Sequence, residues 1–348
     1  MLRSITHTMR YTVCLCIRCA LEMSVAETNP LRDPWLVAVW PGMGNVAIGA
    51  GAYLIAKLNA HLVAEMPNEG VFDLTSIDVK AGLAKPSRLP RGMFFEWRNP
   101  APGGQGRDLM IFVGEAQPPA HGFAYCQRLL VYAEQRGVKR LYTFAAMATQ
   151  LHPSNHPRVF GAATDEASLS DLRKTEVILL KEGQISGLNG VLLAAGSERG
   201  IAGTCLLGEL PFFAAGVPNP KASQAVLEVF ASMSGIEIDF ADLKPQVVAV
   251  EQALLQMLEK MQEAAREQGE ELEVEEADET ATEPEDGASD GSTGPPKIDD
   301  ATSRKIEQLF AAAEKDRGNA MRLKQELDKH NVFKQYEDRF LDLFRKAD

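Results

Sequence analysis

The glycine-rich stretch Gly42-Met43-Gly44-Asn45-Val46-Ala47 has the residue types and spacing of a phosphate-binding turn. It matches Gly-x-Gly-x-x-(Gly/Ala), follows the apolar run 35–40 and opens an Ala-rich stretch that continues to residue 58. In such a turn the backbone approaches a pyrophosphate at the helix N-terminus, and an acid about 20 residues on binds the ribose hydroxyls. Glu65 has that spacing. Glycine also serves any tight strand-to-helix turn, and since no hydride-transfer residues follow, the plain turn is the favoured interpretation.

A second glycine-rich segment, residues 183–203, offers another turn of the same kind. Gly187-Leu188-Asn189-Gly190 has the pattern of a strand end, a turn and a helix start, where exposed backbone N–H groups bind a phosphate or carboxylate. The Gly-Lys-Ser/Thr ending that a P-loop requires does not follow. We therefore predict that Asn45 and Asn189 cap their helices.

Two acidic residues, Glu115 and Glu209, each end an apolar strand, where α/β folds place functional carboxylates. We interpret both as hydrogen-bonded strand ends, because two such acids do not make a mechanism. His152 and His156 have the spacing of a metal pair on a helix, but the neighbouring prolines exclude a helix there. No Gly-x-Ser-x-Gly elbow lies between a predicted strand and a predicted helix, and the sequence contains no Cys/His nucleophile signature or zinc-peptidase motif. We predict no catalytic residue, no metal site and no cofactor.

The cysteine pattern predicts a reducing compartment, and hence a cytoplasmic protein. Of five cysteines, three are crowded at positions 14, 16 and 19, and Cys126 and Cys205 stand far apart in apolar runs. The first 22 residues resemble a poor secretory signal that Arg18 interrupts. Since Met23 opens a stretch that looks like a second start, we interpret residues 1–22 as an extended or non-native N-terminus.

The acidity of the chain is local. The net charge is -12, yet residues 267–300 alone hold 14 Asp or Glu and one Lys, so the remainder is nearly neutral. A neutral body has no cluster of Lys and Arg for nucleic acid or an anionic membrane. No run of 18 apolar residues occurs, which argues against a membrane-spanning helix. We expect a protein partner, with no nucleic acid and no membrane.

Short apolar runs alternate with helical periods from Trp35 to Met261, which predicts an α/β fold with a mixed or largely parallel sheet covered on both faces. The predicted strands are 35–40, 61–66, 71–77, 93–97, 108–116, 140–148, 158–164, 177–180 and 202–210. The predicted helices are 45–58, 122–135, 190–198, 222–233 and one from about Ala241 onwards.

Four segments follow from this pattern: the N-terminus 1–22, an α/β core domain 23–266, an acidic disordered linker 267–300 and C-terminal amphipathic helices 301–348. The last core helix carries an a/d seam, which predicts either packing on its own domain or a seam for oligomerisation or for a returning C-terminal helix. Its residues are Leu243, Val247, Val250, Leu254, Met257, Met261 and Ala264. The final segment forms a candidate interaction helix through Phe333, Tyr336, Phe340 and Phe344, which share one face.

Several segments, taken in order, carry a family resemblance. These include "VAVWPGMGNVAIGAGAYLIAKL", "LMIFVGEAQPP", "VKRLYTFAAMAT", "RVFGAATDE" and "GQISGLNGVLLAAGSERGIAGTCLLGELP". The chain resembles the proteasome assembly chaperone family in its prokaryotic branch, over about residues 35 to 262. The most specific parts are the Pro-Gly-x-Gly-x-Val turn and the Gly-x-x-Gly-Leu-x-Gly segment.

The resemblance implies a three-layer α/β/α domain of the phosphorylase-like type and a homo-oligomeric protein that binds or assembles other proteins, with a proteasome or another ring assembly as partner. Members that bind proteasomes end in a hydrophobic residue, a tyrosine and one final residue, whereas this sequence ends Lys346-Ala347-Asp348. Phe340 and Phe344 are the alternative anchors. Our first hypothesis is a non-enzymatic assembly protein. The second is a nucleotide- or small-anion-binding enzyme, ATP-grasp-like or dinucleotide-binding, that uses the turns 42–47 and 187–190.

Overall fold

A computed structural model describes residues 30–67, 70–101, 106–267 and 300–315, with Leu323, Leu327, Tyr336 and Arg339. The chain separates into two compact units, residues 1–279 and 280–348, and each is described by itself. The predicted N-terminal segment 1–22 and almost all of the predicted linker 267–300 lie outside the described residues, so these boundaries stay predictions.

The first unit contains ten strands and six helices within its described residues. The strands are β1 (Trp35–Val39), β2 (His61–Met66), β3 (Ile77–Lys80), β4 (Leu83–Pro86), β5 (Gly92–Trp97), β6 (Leu109–Gly114), β7 (Arg140–Thr149), β8 (Val159–Ala163), β9 (Ile178–Leu179) and β10 (Ala202–Pro211). The helices are α1 (Val46–Leu58), α2 (Gly122–Gln135), α3 (Glu166–Leu172), α4 (Gly187–Glu198), α5 (Pro220–Ser234) and α6 (Lys244–Glu267).

Eight strands form one mixed sheet in the order β2-β5-β6-β1-β7-β10-β8-β9, and β3 and β4 form a separate hairpin. The central strands β6, β1, β7 and β10 are parallel, and Trp35 at the start of β1 pairs with both Leu109 and Arg140. All five residues of β1 are buried, as expected for a central strand covered on both faces. The predicted mixed α/β sheet is confirmed.

Helices cover both faces of the sheet, which gives the predicted three layers. On one face α2 and α4 pack through residues such as Leu129 and Leu192. On the other face α1 and α5 pack through Leu54 and Phe230. Gly51 of α1 permits a close approach, because a Cβ there would overlap the side chain of Val39. The two cores lie back to back through the sheet.

Two local features differ from the prediction. The apolar run 71–77 predicted a strand, but a strand begins only at Ile77 and continues into the hairpin β3–β4, whose residues are all exposed. The short helix α3 was not predicted. It starts at Asp165, whose carboxylate accepts a hydrogen bond from the N–H of Ser168 at 2.9 Å and so caps the helix.

Helix α6 departs from the predicted heptad seam at its C-terminal half. Leu243 and Leu254 are buried as the seam requires, but Met257 is 39% exposed and Leu258 is buried in its place. A helix with 3.6 residues per turn drifts away from a strict seven-residue repeat, which moves the buried position by one residue.

The second unit is described mainly by helix α7 (Asp300–Lys315). Its apolar face buries Ile306 and Phe310, with Leu323 and Leu327 in the same cluster. Tyr336 packs against Phe310 with ring centroids 5.8 Å apart, so this member of the predicted interaction helix is engaged inside its own unit. Phe333, Phe340 and Phe344 lie outside the described residues.

Candidate functional site at the carboxyl edge of the sheet

The topology places a crevice between the carboxyl ends of β1 and β6. After β1 the chain turns to α1 on one face, and after the neighbouring strand β6 it turns to α2 on the opposite face. In open α/β sheets ligands bind at such a switch point. The predicted residues Gly42, Met43 and Glu115 follow these two strands, so the sheet brings them to one edge.

The first glycine turn is tightly packed, and its own chain uses its donors. Gly44 has φ +58°, and a Cβ there would lie 2.5 Å from a methyl carbon of Leu210. The N–H of Gly44 donates to the carbonyl of Ala215 at 2.8 Å, and the N–H of Asn45 donates to the carbonyl of Gly42 at 3.0 Å. An anion at this turn would find neither group available.

Asn45 does not cap helix α1 with its side chain, so that prediction was wrong. The residue adopts a left-handed conformation with φ 48°, and its side chain makes no capping hydrogen bond. An effective cap has extended backbone angles, which direct the side chain towards the first turn of the helix.

The dinucleotide arrangement, which the sequence offered as the less favoured alternative to a plain turn, is not formed. Glu65 lies on β2 at the edge of the sheet, and β5 and β6 separate that strand from β1. A ribose-binding acid must end the strand next to the glycine turn. Instead, a carboxylate oxygen of Glu65 lies 3.2 Å from a guanidinium nitrogen of Arg91.

The second glycine turn starts helix α4 as predicted, but Asn189 does not cap it. Ser186 occupies the capping position, and Asn189 is the third residue of the helix. Asn189 is 7% exposed, and its Oδ1 has no hydrogen-bond partner among the described residues. Gly187 has φ +72°, a conformation that favours glycine. A Cβ at Gly190 would overlap the carbonyl oxygen of Ile185, so close packing requires glycine there.

Gln117, which sequence reasoning missed, joins the two glycine turns. Its Nε2 donates to the carbonyl oxygen of Pro41 at 3.1 Å, and its Oε1 accepts from the N–H of Leu188 at 3.0 Å. The only signal in the sequence is its position just beyond the end of β6. The amide side chain therefore closes the crevice by bridging its two walls.

Trp40 fills the floor of the crevice. Its side chain is fully buried, and Gly114 at the end of β6 makes room for it, because a Cβ there would overlap the indole ring. With Trp40 and Gln117 in place, the chain's own side chains occupy the position where related architectures bind ligands.

Glu115 anchors the chain that returns from the β3–β4 hairpin. Arg88 Nη1 donates to Glu115 Oε2 at 2.6 Å, and the N–H and guanidinium of Arg91 donate at 2.9 and 3.0 Å. The hydrogen bonds from Arg88, opposed by burial and aided by Arg91, lower the pKa of Glu115 to about 2. The carboxylate is an anchor for the hairpin, held ionised by two arginines.

Glu209 is fully buried and its hydrogen-bonding capacity is used. It accepts from the hydroxyl of Thr149 at 2.7 Å and from the N–H and Nε of Arg158 at 3.0 and 2.9 Å. Burial alone would raise the pKa of Glu209, but the hydrogen bonds from Arg158 and Thr149 outweigh it and lower the pKa. The structure places Glu209 within β10, just before Leu210 and Pro211 at its end, with the hydrogen bonds that its interpretation as a structural carboxylate requires.

An open groove of about 620 Å³ runs along the outer side of α1. Gly49, Ala52 and Tyr53 line it from α1, and Leu243 and Val250 line it from the segment leading into α6 and from α6 itself. Its described lining contains no charged side chain, so nothing there would neutralise a phosphate.

The rim of the closed crevice carries exposed apolar side chains. Met43 is 45% exposed at the first glycine turn, and Phe123 is 41% exposed in the first turn of α2. Gly122, beside Phe123, lies against Leu188, because a Cβ there would be 3.0 Å from its side chain. This rim offers apolar contact rather than acid–base chemistry.

The described residues contain no group of three or more His, Cys, Asp or Glu residues placed to hold a metal ion. None of their helices combines the length and the hydropathy needed to cross a membrane.

Comparison with known proteins gives the family. The family model described as the PAC2 family matches residues 36–258. An uncharacterised protein of Methanocaldococcus jannaschii is 25% identical over 250 residues, which cover 70% of this chain and 90% of the relative.

Solved structures share the fold. PbaB of Pyrococcus furiosus, described as an archaeal proteasome activator, has a TM-score of 0.56 and 26% identity, with 68% of this chain and 97% of PbaB covered. A proteasome-assembly chaperone homologue of Mycobacterium tuberculosis has a TM-score of 0.55 and 24% identity, with 64% and 94% covered. The family model spans well over half of the sequence, and the chain belongs to the PAC2 family.

Proposed function

We propose that this chain is a non-enzymatic, homo-oligomeric protein that binds other proteins in the manner of an assembly chaperone. The observation that carries the proposal is the closed crevice. Trp40 and Gln117 occupy the position where α/β enzymes bind their substrates, and the rim around it is apolar. The cysteine usage is that of a reducing compartment, so the proposal places the protein in the cytoplasm.

The partner in this proposal is a ring-shaped protein assembly such as a proteasome. The likeness to PbaB, an archaeal proteasome activator that is 26% identical, supports that choice. The contact surface is the rim that presents Met43 and Phe123, since exposed apolar side chains of this size favour protein contacts.

The test is quantitative mass spectrometry of proteins that co-purify with the chain from its own host at native expression. We compare the wild type with a Met43→Asp, Phe123→Asp double variant. A matched control is Val248→Asp, because Val248 is 54% exposed on helix α6, away from the crevice. We expect ring subunits with the wild type and the control, and their loss with the double variant.

Two results would contradict the proposal. One is a clean preparation that contains only this chain. The other is thermal stabilisation by a nucleotide, because a ligand at 100 times its Kd adds about 2.7 kcal/mol to the free energy of unfolding. The variant for that screen is Gly42→Glu. A side chain can be added at Gly42 without a clash, because there is open space around it, whereas at Gly44 there is none.

A further inference from the structure

The β3–β4 hairpin, which we call the arm, is the most exposed apolar feature of the described chain. Ile77, Val79 and Leu83 are 59%, 67% and 66% exposed. Their strands have only each other as partners among the described residues. An isolated two-stranded hairpin is marginally stable in water, so an arm of this kind gains stability from a partner.

The register of the arm separates its two faces. Ile77 pairs with Pro86 and Val79 pairs with Ala84, which makes one face wholly apolar. Asp78 pairs with Lys85 and Lys80 pairs with Leu83 on the opposite face, so Leu83 lies among the charged side chains and not on the apolar face. Charge therefore alternates with apolar side chains along β3, in the order Ile, Asp, Val, Lys.

Among the described residues, no strand pairs with the outer edge of β3. The N–H of Ser87 donates to the carbonyl of Ser76 at 3.4 Å, so Ser76 faces inward across the hairpin. Hydrogen-bonded and non-hydrogen-bonded pairs alternate in an antiparallel ladder. The backbone N–H and C=O groups of Asp78 therefore also point inward, towards β4. Those of Ile77 and Val79 point outward, away from β4. The corresponding edge of β4 is blunted, because Pro86 has no N–H and Lys85 precedes it.

A second copy of β3 complements this edge when the two strands pair antiparallel about Val79. That register sets Asp78 opposite Lys80 of the other copy, twice by symmetry, and it sets the two outward-facing Val79 residues opposite each other. A shift of two residues is the smallest that again opposes outward-directed backbone groups. In one direction it would set Asp78 opposite Asp78, and in the other Lys80 opposite Lys80, both of which are unfavourable. The charges thus favour the register centred on Val79 over its two neighbours.

We propose that two copies of this chain pair through the β3 edges of their arms, antiparallel and centred on Val79, to form a four-stranded sheet. This inference deepens the homo-oligomer part of the proposed function and names its surface. The paired arms join their apolar faces into one continuous surface of eight side chains, contributed in each copy by Ile77, Val79, Ala84 and Pro86.

The first test removes one outward-facing N–H. Val79→Pro deletes a donor that β4 does not use, and Ala84→Pro is the matched control, because Ala84 is the cross-strand partner of Val79 and faces outward on the other edge. Two backbone hydrogen bonds lie at the symmetry axis, so we expect Val79→Pro to weaken self-association at least about tenfold in sedimentation equilibrium. Ala84→Pro should leave it unchanged.

The second test uses charge. D78K and K80D chains each set like charges opposite each other and should fail to self-associate, whereas a mixture of the two restores both ion pairs. Mixing differently tagged D78K and K80D chains should therefore give heterodimers. A general loss of folding cannot produce that rescue.

The third test is a crosslink at the axis. Directly opposed, hydrogen-bonded residues have Cα atoms about 5.5 Å apart, within the range of a disulfide. Val79→Cys should therefore give a covalent dimer on oxidation, and Ala84→Cys should not. The paired comparison cancels any crosslinking by the native cysteines.

Three outcomes would overturn the inference: a monomeric wild type, equal association of the Val79→Pro and Ala84→Pro variants, or no heterodimer from the charge mixture. A monomeric wild type would also remove the homo-oligomer part of the proposed function. None of the three outcomes removes its protein-binding part, because partner capture through Met43 and Phe123 is measured separately. Conversely, an arm-mediated dimer that captures no ring subunits would leave this inference standing while the proposed function fails.

Discussion

The carboxyl edge of the sheet and the arm differ in the burial of their apolar side chains and in the hydrogen bonding of their backbone groups. At the edge, Trp40 is fully buried, and Gln117 satisfies backbone groups of both glycine turns. In the arm, Ile77 and Val79 are more than half exposed, and the outer edge of β3 has no partner strand among the described residues. The ligand crevice of the architecture is closed, while an insertion between β2 and β5 is open. In this chain we therefore expect the insertion, rather than the crevice, to bind another protein chain.

The largest expected effect tests whether the crevice is closed. Trp40→Ala removes a fully buried indole, and we expect a loss of about 3–5 kcal/mol in the free energy of unfolding, because a large cavity remains. Guanidinium titration measures it. Phe123→Ala is the control at an exposed aromatic and should cost far less. A loss below about 1 kcal/mol for Trp40→Ala would show that water or a ligand already has access to the crevice.

The bridge across the crevice comes next. Gln117→Ala leaves the N–H of Leu188 and the carbonyl of Pro41 without their partner, so we expect a loss of about 2 kcal/mol. Faster amide hydrogen exchange at Leu188 is the specific readout. Gln224→Ala, which removes a hydrogen bond to Glu228 along the outside of α5, is the control. Equal effects of the two substitutions would contradict a bridging role.

The anchor formed by Glu115, which links the two regions, makes the free energy of unfolding depend on pH. The pKa of Glu115 is about 2 in the folded protein and about 4.5 ordinarily, so its stabilisation is complete above pH 4.5 and is lost as the pH falls towards 2. We expect Glu115→Gln to be less stable than the wild type by about 1 kcal/mol at pH 7, after solvent screening, and equally stable near pH 2.

Denaturant titration of both proteins between pH 2 and 7 measures this difference. Glu65→Gln is the control, because Glu65 is about half exposed and contacts Arg91 at 3.2 Å. A difference between the wild type and Glu115→Gln that does not change with pH would remove the anchoring role.

The smallest expected effect concerns the arm itself. Ile77→Thr and Val79→Thr keep β-branched side chains at exposed positions, so each should change the free energy of unfolding of the isolated chain by less than about 0.5 kcal/mol. Thermal unfolding at low protein concentration measures it. A loss above about 1 kcal/mol would show that the chain itself covers the apolar face of the arm, and the contrast with the crevice would disappear.

The core could be predicted from the sequence because its signals are local. The run Trp35–Val39 is continuous and apolar, and the helix over 122–135 was predicted with the bounds that the structure has. The arm could not be predicted, because its exposed strands lack a buried face. Its turn at Ala81 and Gly82 has positive φ at both residues, and alanine carries no turn signal.

The role of each site residue depended on strand order, which spacing does not contain. Glu65 has the spacing of a ribose-binding acid, but β5 and β6 lie between its strand and β1. The bridging role of Gln117 depends on Pro41 and Leu188, which are distant in sequence and come together only at the edge of the sheet. The hydrogen bonding expected of Glu209 is observed, because a buried carboxylate near a strand end needs hydrogen bonds in any strand order.

The pairing of Trp35 with both Leu109 and Arg140 joins residues that are far apart in sequence. Strand β1 cannot pair with its neighbours until long loops close, and such non-local parallel pairing is slow. The arm closes through a two-residue turn, and hairpins of this kind form in about 1–10 μs. We therefore expect the edge of the arm to form transiently before the central sheet does, so that a local strand is available for contact while the rest of the domain is still folding.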